Sequence, residues 1–391
     1  MPTLPTASVH SRARRAGYDP SILERSCVLV VGAGALGQNE LLNLALSGVH
    51  ELRIVDGDTF EDHNRSRSPL HPRRNSYSQS DVLPKAGCVA SELRGIHIDD
   101  EARIRYADTW IEELGLGAFQ GVDVIAACVD SLIARAYLAR AAIQLGIPIV
   151  DGGFSGPNLG MTVYPSSEDP HRVPCWSCGG DPIPGAFSCQ EYARFAEASG
   201  IVPAIQTGAA ALGAVCAEAV ISSLHGGELE PRRVALDLRT GSSAVFRPRP
   251  DPLCSRTHRR LPEPRAVAAT PAMSIAELLT SVEEDSSLLL RETYVERANC
   301  PACTATCDVE APVHRWRRNP MCTECGGPWP RATHQLASPD TIDIAIDASH
   351  PRASLTLEQL GFRAGDIIEL EGAADAAIRL AGGPDDLFAT A

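Results

Sequence analysis

Aromatic residues are scarce, at 5% of 391 residues, so stacking of bases on ring platforms is no theme of this chain. Positive charge is also short. Lys and Arg number 35 against 49 Asp and Glu, a formal net charge of −14. That balance argues against a protein that grips nucleic acid or an anionic membrane by general electrostatics. No apolar segment follows a basic start, as a secretory signal would require. No run reads as a membrane span either. The best candidate, Ile201 to Leu224, is uncharged until Glu218 but carries Gln206, Thr207, Gly208 and Gly213, and it lacks a basic flank. A helix packed in a protein interior is expected there.

What is abundant is cysteine, 13 in all. An odd count in a chain of this size does not suit a secreted disulfide framework. Thiols kept in a reducing compartment are buried, metal-bound or reactive, and a cytoplasmic location is expected. The length favours two or three domains, and 44% hydrophobic with 21% charged residues is a globular composition.

The apolar, β-branched run Cys27 to Val31 predicts a buried strand. It leads into Gly32-Ala33-Gly34-Ala35-Leu36-Gly37, a helical stretch, and a second strand, Leu52 to Val55, ending on Asp56. A strand at 123–128, a helix from Ser131 to Leu145 and a strand at 147–150 continue the alternation. The fold class is therefore α/β, a Rossmann-like, doubly wound, mostly parallel sheet. Residues 165–200 are loop-rich. A helix near 203–224 and strands near 234–238 and 243–246 follow, and then a Pro/Arg-rich stretch. The expected division is 1–260 as the α/β domain and 261–298 as linker with short helices. Residues 299–330 then form a cysteine-rich piece and 331–391 a small α/β or β-grasp-like tail. In that tail a short helix over Leu357 and Leu360 precedes a strand at 367–370.

Gly32, Gly34 and Gly37 spell G-x-G-x-x-G between a strand and a helix. Glycines permit the tight turn, and the helix N-terminus offers unpaired N–H groups to a phosphate. Asp56, 19 residues beyond the last glycine, is placed to hold ribose hydroxyls. The fingerprint leaves NAD and ATP both open.

The residues that follow are Gly57-Asp58, then His63-Asn64-Arg65-Ser66-Arg67-Ser68, then Pro84-Lys85, and Ala127-Cys128-Val129-Asp130 at a strand end. From about Tyr18 to His258 this series resembles the ThiF/MoeB/E1 family, ATP-dependent enzymes that adenylate the C-terminal carboxylate of ubiquitin-like proteins. The resemblance implies that Gly32, Gly34, Gly37, Asp56 and Asp58 surround ATP. It implies that Asn64, Arg67 and Lys85 hold the phosphates and that Asp130 positions Mg2+. Adenylation needs cations and a metal around the triphosphate but no general base, because the attacking carboxylate is already ionised. Arg65, Ser68 and Ser131 depart from the common pattern of apolar residue, Gln and Asn at those places. The resemblance also implies a homodimer in which an N-terminal arginine, among Arg12, Arg14 and Arg15, reaches the other subunit's site.

Cys175-x2-Cys178 and Cys254-x3-His258 form two ligand pairs. In the family such pairs close a structural zinc, here as Cys3His. Cys300-x2-Cys303 and Cys322-x2-Cys325 enclose 18 residues, a zinc-ribbon spacing, with Cys307 near enough to replace one ligand. Cys27, Cys128 and Cys216 are expected in the core. Cys189 lies in the irregular crossover where some relatives carry an acyl-accepting cysteine; the alternative is a loop cysteine with no role.

The expected function is ATP-dependent adenylation of a C-terminal carboxylate. The substrate would be a sulfur-carrier or ubiquitin-like protein, or else a ribosomal precursor peptide. An NAD-dependent oxidoreductase and an inactive E1-like scaffold are the alternatives.

Overall fold

The computed structural model describes residues 9–73, 78, 81–178, 205–226, 230–252, 254, 258–282, 286–300, 302–318, 321–327, 340–342, 345–372 and 376–391. They belong to two compact units. The first comprises Met1–Ile111, Gly121–Arg260 and Phe388–Ala391; the second comprises Glu112–Gln120 and Leu261–Leu387.

The first unit is built on strands β1 (Cys27–Val31), β2 (Glu51–Val55), β3 (Arg103–Ala107), β4 (Val124–Ala127), β5 (Ile149–Ser155), β6 (Asn158–Tyr164), β7 (Arg232–Asp237) and β8 (Ser243–Phe246). A terminal strand, Ala389–Thr390, completes a nine-stranded sheet in the order terminal strand–β3–β2–β1–β4–β5–β6–β7–β8. β3 through β5 are parallel, with Cys27 opposite Glu51 and Val28 opposite Val124; β6, β7, β8 and the terminal strand run antiparallel to their neighbours. The order 3-2-1-4-5 is that of a doubly wound nucleotide fold. β1 and β2 are buried along their whole length, as strands covered on both faces must be.

The helix Ala35–Ser47 leaves β1 directly, and the helix Gln206–Leu224 packs on it and on β4 to β6. Gly213 permits this close approach, since a Cβ there would stand 2.7 Å from that of Asn39. Gln206–Leu224 is, among the described residues, the one helix long and apolar enough to cross a membrane, yet half of its apolar window is buried in this unit, including Leu212, Cys216 and Val220. Residues 201–204, which the sequence placed next to it, lie outside the described residues. β3 was not foreseen, and its charged Arg103 and Arg105 explain why. Arg53 Nε meets Glu51 Oε1 at 2.8 Å, and Arg103 and Arg105 reach the same carboxylate.

The second unit holds β9 (Arg265–Ala266), β10 (Ser287–Leu289), β11 (Tyr294–Asn299), β12 (Thr306–Pro312), β13 (Asp340–Ile342), β14 (Ala345–Ile346), β15 (Ile367–Glu371) and β16 (Ala376–Arg379). They form a five-stranded sheet, β14–β10–β15–β16–β9, and a three-stranded sheet, β12–β11–β13. The segment 261–298, expected as a linker, thus supplies β9, β10 and β11. It also supplies the helix Ile275–Val282, which buries Ile275, Leu278 and Leu279 on one face. The helix expected over Leu357 and Leu360 does not form. Residues 357–361 are turns, with Gln359 Oε1 accepting from Thr356 N at 2.8 Å and Gly361 at φ +91°, while both leucines remain buried.

Candidate functional site

The glycine loop is organised by contacts that exclude side chains. Gly32 has φ +98°, and a Cβ on it would lie 2.5 Å from the Cys128 carbonyl oxygen, so the ends of β1 and β4 meet there. A Cβ on Gly37 would strike the Gly32 carbonyl, which brings the first turn of Ala35–Ser47 down onto the loop. Gly34, the N-cap of that helix, has open space in front of it and no side-chain cap. The unsatisfied N–H groups of the first turn are thus left for an anion.

Asp56, at the carboxyl end of β2, pins the loop. Its Oδ2 accepts from Ala33 N at 2.7 Å and its Oδ1 from Asp58 N at 2.8 Å. Burial pushes its carboxyl up to about 6, against the pull of Lys85 and these backbone donors. Asp58 in turn holds Lys85, with Nζ to Oδ2 at 2.9 Å and Lys85 N to the Asp58 carbonyl at 2.9 Å. Lys85 is the only lysine in the chain. An isolated lysine is usually an ordinary surface charge; one lysine in 391 residues, largely buried beside a nucleotide fingerprint, is a signal the motif spacing alone did not use.

Asn64 and Arg67 lie on a single 3-10 turn, Asp62–Arg67, just after β2. Asn64 Oδ1 accepts from Glu61 N at 3.0 Å, which leaves its donor group for a phosphate. Arg67 Nη1 donates to the His63 carbonyl at 2.8 Å, and no carboxylate lies within ion-pair reach of Arg67 among the described residues. Gln38 ties this region to the loop. It is fully buried, its Nε2 donates to the Ala33 carbonyl at 2.9 Å and its Oε1 accepts from Leu70 N at 2.9 Å. Asp130 is exposed, two residues beyond the Cys128 that Gly32 touches. A carboxylate at the end of β4, next to the loop, is a hard oxygen donor suited to Mg2+. Direct contacts therefore unite the loop, Asp56, Asp58 and Lys85. Gln38 links the loop to Leu70, three residues beyond Arg67, and Asp130 follows the end of β4. Arg12, Arg14 and Arg15 are exposed on the helix Ser11–Arg15. Cys189 lies outside the described residues.

Sequence reasoning missed three features, two of them buried carboxylates. Glu40, on the loop helix, is wholly buried; its Oε2 accepts from Cys128 Sγ at 3.0 Å and its Oε1 has no partner among the described residues. Burial raises Glu40 to about 7 and Cys128 far above the usual thiol range. Asp151 pairs with Arg135 at 3.5 Å inside the same unit. Gly57 is bare because the Trp110 indole lies against it. All three depend on partners distant in sequence, which no local spacing reveals.

Two groups of four potential ligands close up in space. Cys175 Sγ lies 3.7 Å from Cys178 Sγ and 3.6 Å from Cys254 Sγ, and His258 Nε2 is 3.2 Å from Cys178 Sγ. Ligands about 2.3 Å from a zinc ion would be separated by roughly 3.8 Å along a tetrahedral edge, so the spacing fits. His258 Nδ1 donates to the Pro170 carbonyl at 3.0 Å, which turns Nε2 toward the sulfurs, as ligating histidines require. In the second unit Cys300 and Cys325 are 3.9 Å apart and Cys303 and Cys322 3.6 Å apart. All four ligand atoms of each group lie within 4.8 Å of one another. Both sets supply four protein ligands, the closed arrangement of a structural site.

Residues 16–256 match the model of the ThiF family. The chain is 30% identical over 189 residues to an Arabidopsis thaliana adenylyltransferase and sulfurtransferase MOCS3, covering 47% of this chain and 38% of that protein. It is 30% identical over 172 residues to the Bacillus subtilis sulfur carrier protein ThiS adenylyltransferase, covering 43% and 48%. The chain thus spans less than half the length of either relative. Among solved structures, E. coli MccB with MccA-N7isoASN superposes with a TM-score of 0.52 at 17% identity, over 66% of this chain and 76% of that one, a likeness of fold. With the glycine loop, the Asp56 pin and the strand order already in place, the chain belongs to the ThiF family.

Proposed function

We propose that this protein adenylates a C-terminal carboxylate with ATP, and that its substrate is a sulfur-carrier or ubiquitin-like protein. The relatives named as adenylyltransferases, one of them acting on the sulfur carrier ThiS, support the reaction and the substrate class. The single observation that carries the reading is the cluster in which Asp56 pins the glycine loop and, through Asp58, holds the chain's only lysine.

The first turn of Ala35–Ser47 receives phosphate oxygens on its free N–H groups. Asp56 keeps a lone pair on each oxygen for the ribose hydroxyls after serving Ala33 and Asp58. Lys85 and Arg67 supply positive charge along the triphosphate, Arg67 as a planar fork and Lys85 as a compact charge. Asp130 would hold Mg2+, which neutralises phosphate charge when bound. The substrate carboxylate oxygen attacks the α-phosphorus, its bond forms as the α–β bridging bond breaks, and pyrophosphate leaves with the electron pair. No proton moves, so the buried, partly protonated Glu40 is not needed as a base. The active form is a homodimer, with Arg12, Arg14 or Arg15 offered to the other subunit. Both four-ligand groups hold structural zinc, and the second unit serves as a docking module for the carboxylate partner.

The test is ATP–pyrophosphate exchange with a carrier protein or peptide ending in Gly-Gly, alongside a short precursor peptide as the competing substrate. Lys85→Ala and Asp130→Ala should each lower exchange by about 10²–10³-fold, the usual effect of losing one stabilising group. ATP should also shield Lys85, the sole lysine side chain, from an amine-reactive reagent. Undiminished exchange in both variants, or labelling of Lys85 that ATP does not slow, would overturn the site assignment.

A further inference from the structure

The second unit's metal group has five sulfurs around it. Cys300 and Cys303 sit at the tip of the β11–β12 hairpin, where the Cys300 carbonyl accepts from Thr304 N and Cys300 N donates to the Ala305 carbonyl, both at 2.8 Å. Cys322 and Cys325 form the facing knuckle, closed by Cys322 N to the Gly327 carbonyl and Gly326 N to the Cys322 carbonyl, both at 3.0 Å. Cys307 is the second residue of β12, opposite Ala298 of β11. It is 3% exposed, and its Sγ lies 3.4 Å from Cys322 Sγ, closer than Cys303 Sγ at 3.6 Å. Cys300 and Cys322 are buried like Cys307, whereas Cys303 and Cys325 are exposed.

We propose that Cys307 is a built-in alternative ligand, which exchanges with the exposed Cys303 so that the ribbon keeps its metal while Cys303 is released as a reactive surface thiol. This rests on the reading of the second group as a zinc site. Zinc accepts four thiolates, and five are present, three of them on the buried side. Cys303 and Cys307 both lie beside the Cys322 sulfur, at 3.6 and 3.4 Å, so the exchange turns on a ligand the two would share, and Cys307, which stands outside the set of four, moves toward the metal as Cys303 leaves. In the exchange the Cys307 thiol gives up its proton as its bond to zinc forms. The Cys303–zinc bond breaks, and the departing thiolate takes up a proton. Ligand number and net charge are unchanged, and nothing is oxidised. The released Cys303 is open to a thiol-reactive electrophile, because the thiolate form is the nucleophile and this residue is exposed.

The experiment treats the full-length, zinc-loaded protein with iodoacetamide under native conditions. Alkylated cysteines are mapped by peptide mass and bound zinc is counted by native mass spectrometry. Cys303 should be alkylated with zinc retained at the untreated level. Cys303→Ser alone should keep that level, whereas Cys303→Ser combined with Cys307→Ser should lose one zinc. Alkylation of Cys303 in step with loss of one zinc, or loss of one zinc in Cys303→Ser alone, would overturn the exchange. A second double variant separates the underlying reading. Cys322→Ser combined with Cys300→Ser leaves only three sulfurs; if that variant keeps the zinc count unchanged, the second group binds no zinc and the proposal falls with it. Should a double variant fail to fold, judged by circular dichroism, the alkylation and zinc counts of the unmodified protein decide alone.

Discussion

The two four-ligand groups are equally compact, each within 4.8 Å, but have very different surroundings. Cys175, Cys178, Cys254 and His258 belong to a unit whose core is a wide mixed sheet, with β1, β2 and the helices Ala35–Ser47 and Gln206–Leu224 burying Val28, Ile54, Leu41, Leu212 and Val220. Each such side chain contributes about 1.5–3 kcal/mol by leaving water. Cys300, Cys303, Cys322 and Cys325 belong to a ribbon whose small apolar cluster is Val295, Ala298, Cys300, Cys307, Trp316 and Cys322. Half of that cluster is sulfur. Where apolar burial is ample a bound metal would trim a finished structure; where it is meagre the metal would supply the core.

The largest expected difference between the two regions is their response to chelation. Structural zinc in small domains is worth about 10–16 kcal/mol of apparent folding free energy. A strong chelator should therefore abolish hydrogen-exchange protection in β11 and β12 while leaving β1, β2 and β4 protected. Equal loss in both regions would erase the distinction. A smaller effect isolates what holds the second unit independently of its cysteine group. Asp366 is fully buried and accepts from Arg291 Nη1 at 2.8–2.9 Å and from Leu116 N at 2.6 Å. Asp366→Ala leaves the Arg291 charge buried, so it should cost about 3–5 kcal/mol in denaturant unfolding of the second unit and nothing in the first.

The smallest effect is a pH dependence confined to the second unit. His314 is buried between Glu113, at 2.9 Å, and Glu292. Burial alone would lower its pKa, but the two carboxylates outweigh that and raise it. Glu113 moves the other way: burial pushes it up, and hydrogen bonds from His314 and Arg315 carry it well below the usual carboxylate range. The raised histidine lends stability that is complete below its unfolded value of about 6.5 and is lost as pH climbs through its folded one. The depressed carboxylate lends stability that is present above its unfolded value and is lost as pH falls through its folded one. Thermal unfolding of the second unit should thus lose a stabilising component above neutral pH. His314→Gln should remove that component, and the first unit should not show it. A pH profile unchanged by His314→Gln would break the assignment.

The parts of the fold legible in the sequence were those with local causes. An uninterrupted apolar run marks β1, glycines mark the turn after it, and Asp56 marks the end of β2. The paired cysteines announced both ligand groups, because knuckle spacing is a property of short segments. What escaped was non-local. β3 hides its strand character behind Arg103 and Arg105, whose charges are matched by Glu51 on the neighbouring strand. The proline-rich stretch after 260 concealed β9, since a two-residue strand acquires its identity only from its partner β16. Leu357 and Leu360 have helical spacing but are buried by turns. At the nucleotide site Gln38 and Glu40 look like ordinary helix residues until the Leu70 amide and the Cys128 thiol are seen against them.

The division of the chain between the units has a consequence for taking the molecule apart. The backbone passes from one unit to the other after Ile111, Gln120, Arg260 and Leu387. A protease cutting once after Arg260 would therefore release no self-sufficient fragment. The C-terminal piece would lack residues 112–120, and with them the Glu113 carboxylate that His314, Arg315 and Arg363 share. The N-terminal piece would lack the strand Ala389–Thr390 that borders β3. Shuffled as a cassette between proteins, either unit would have to travel as several segments, so the two are expected to be inherited together.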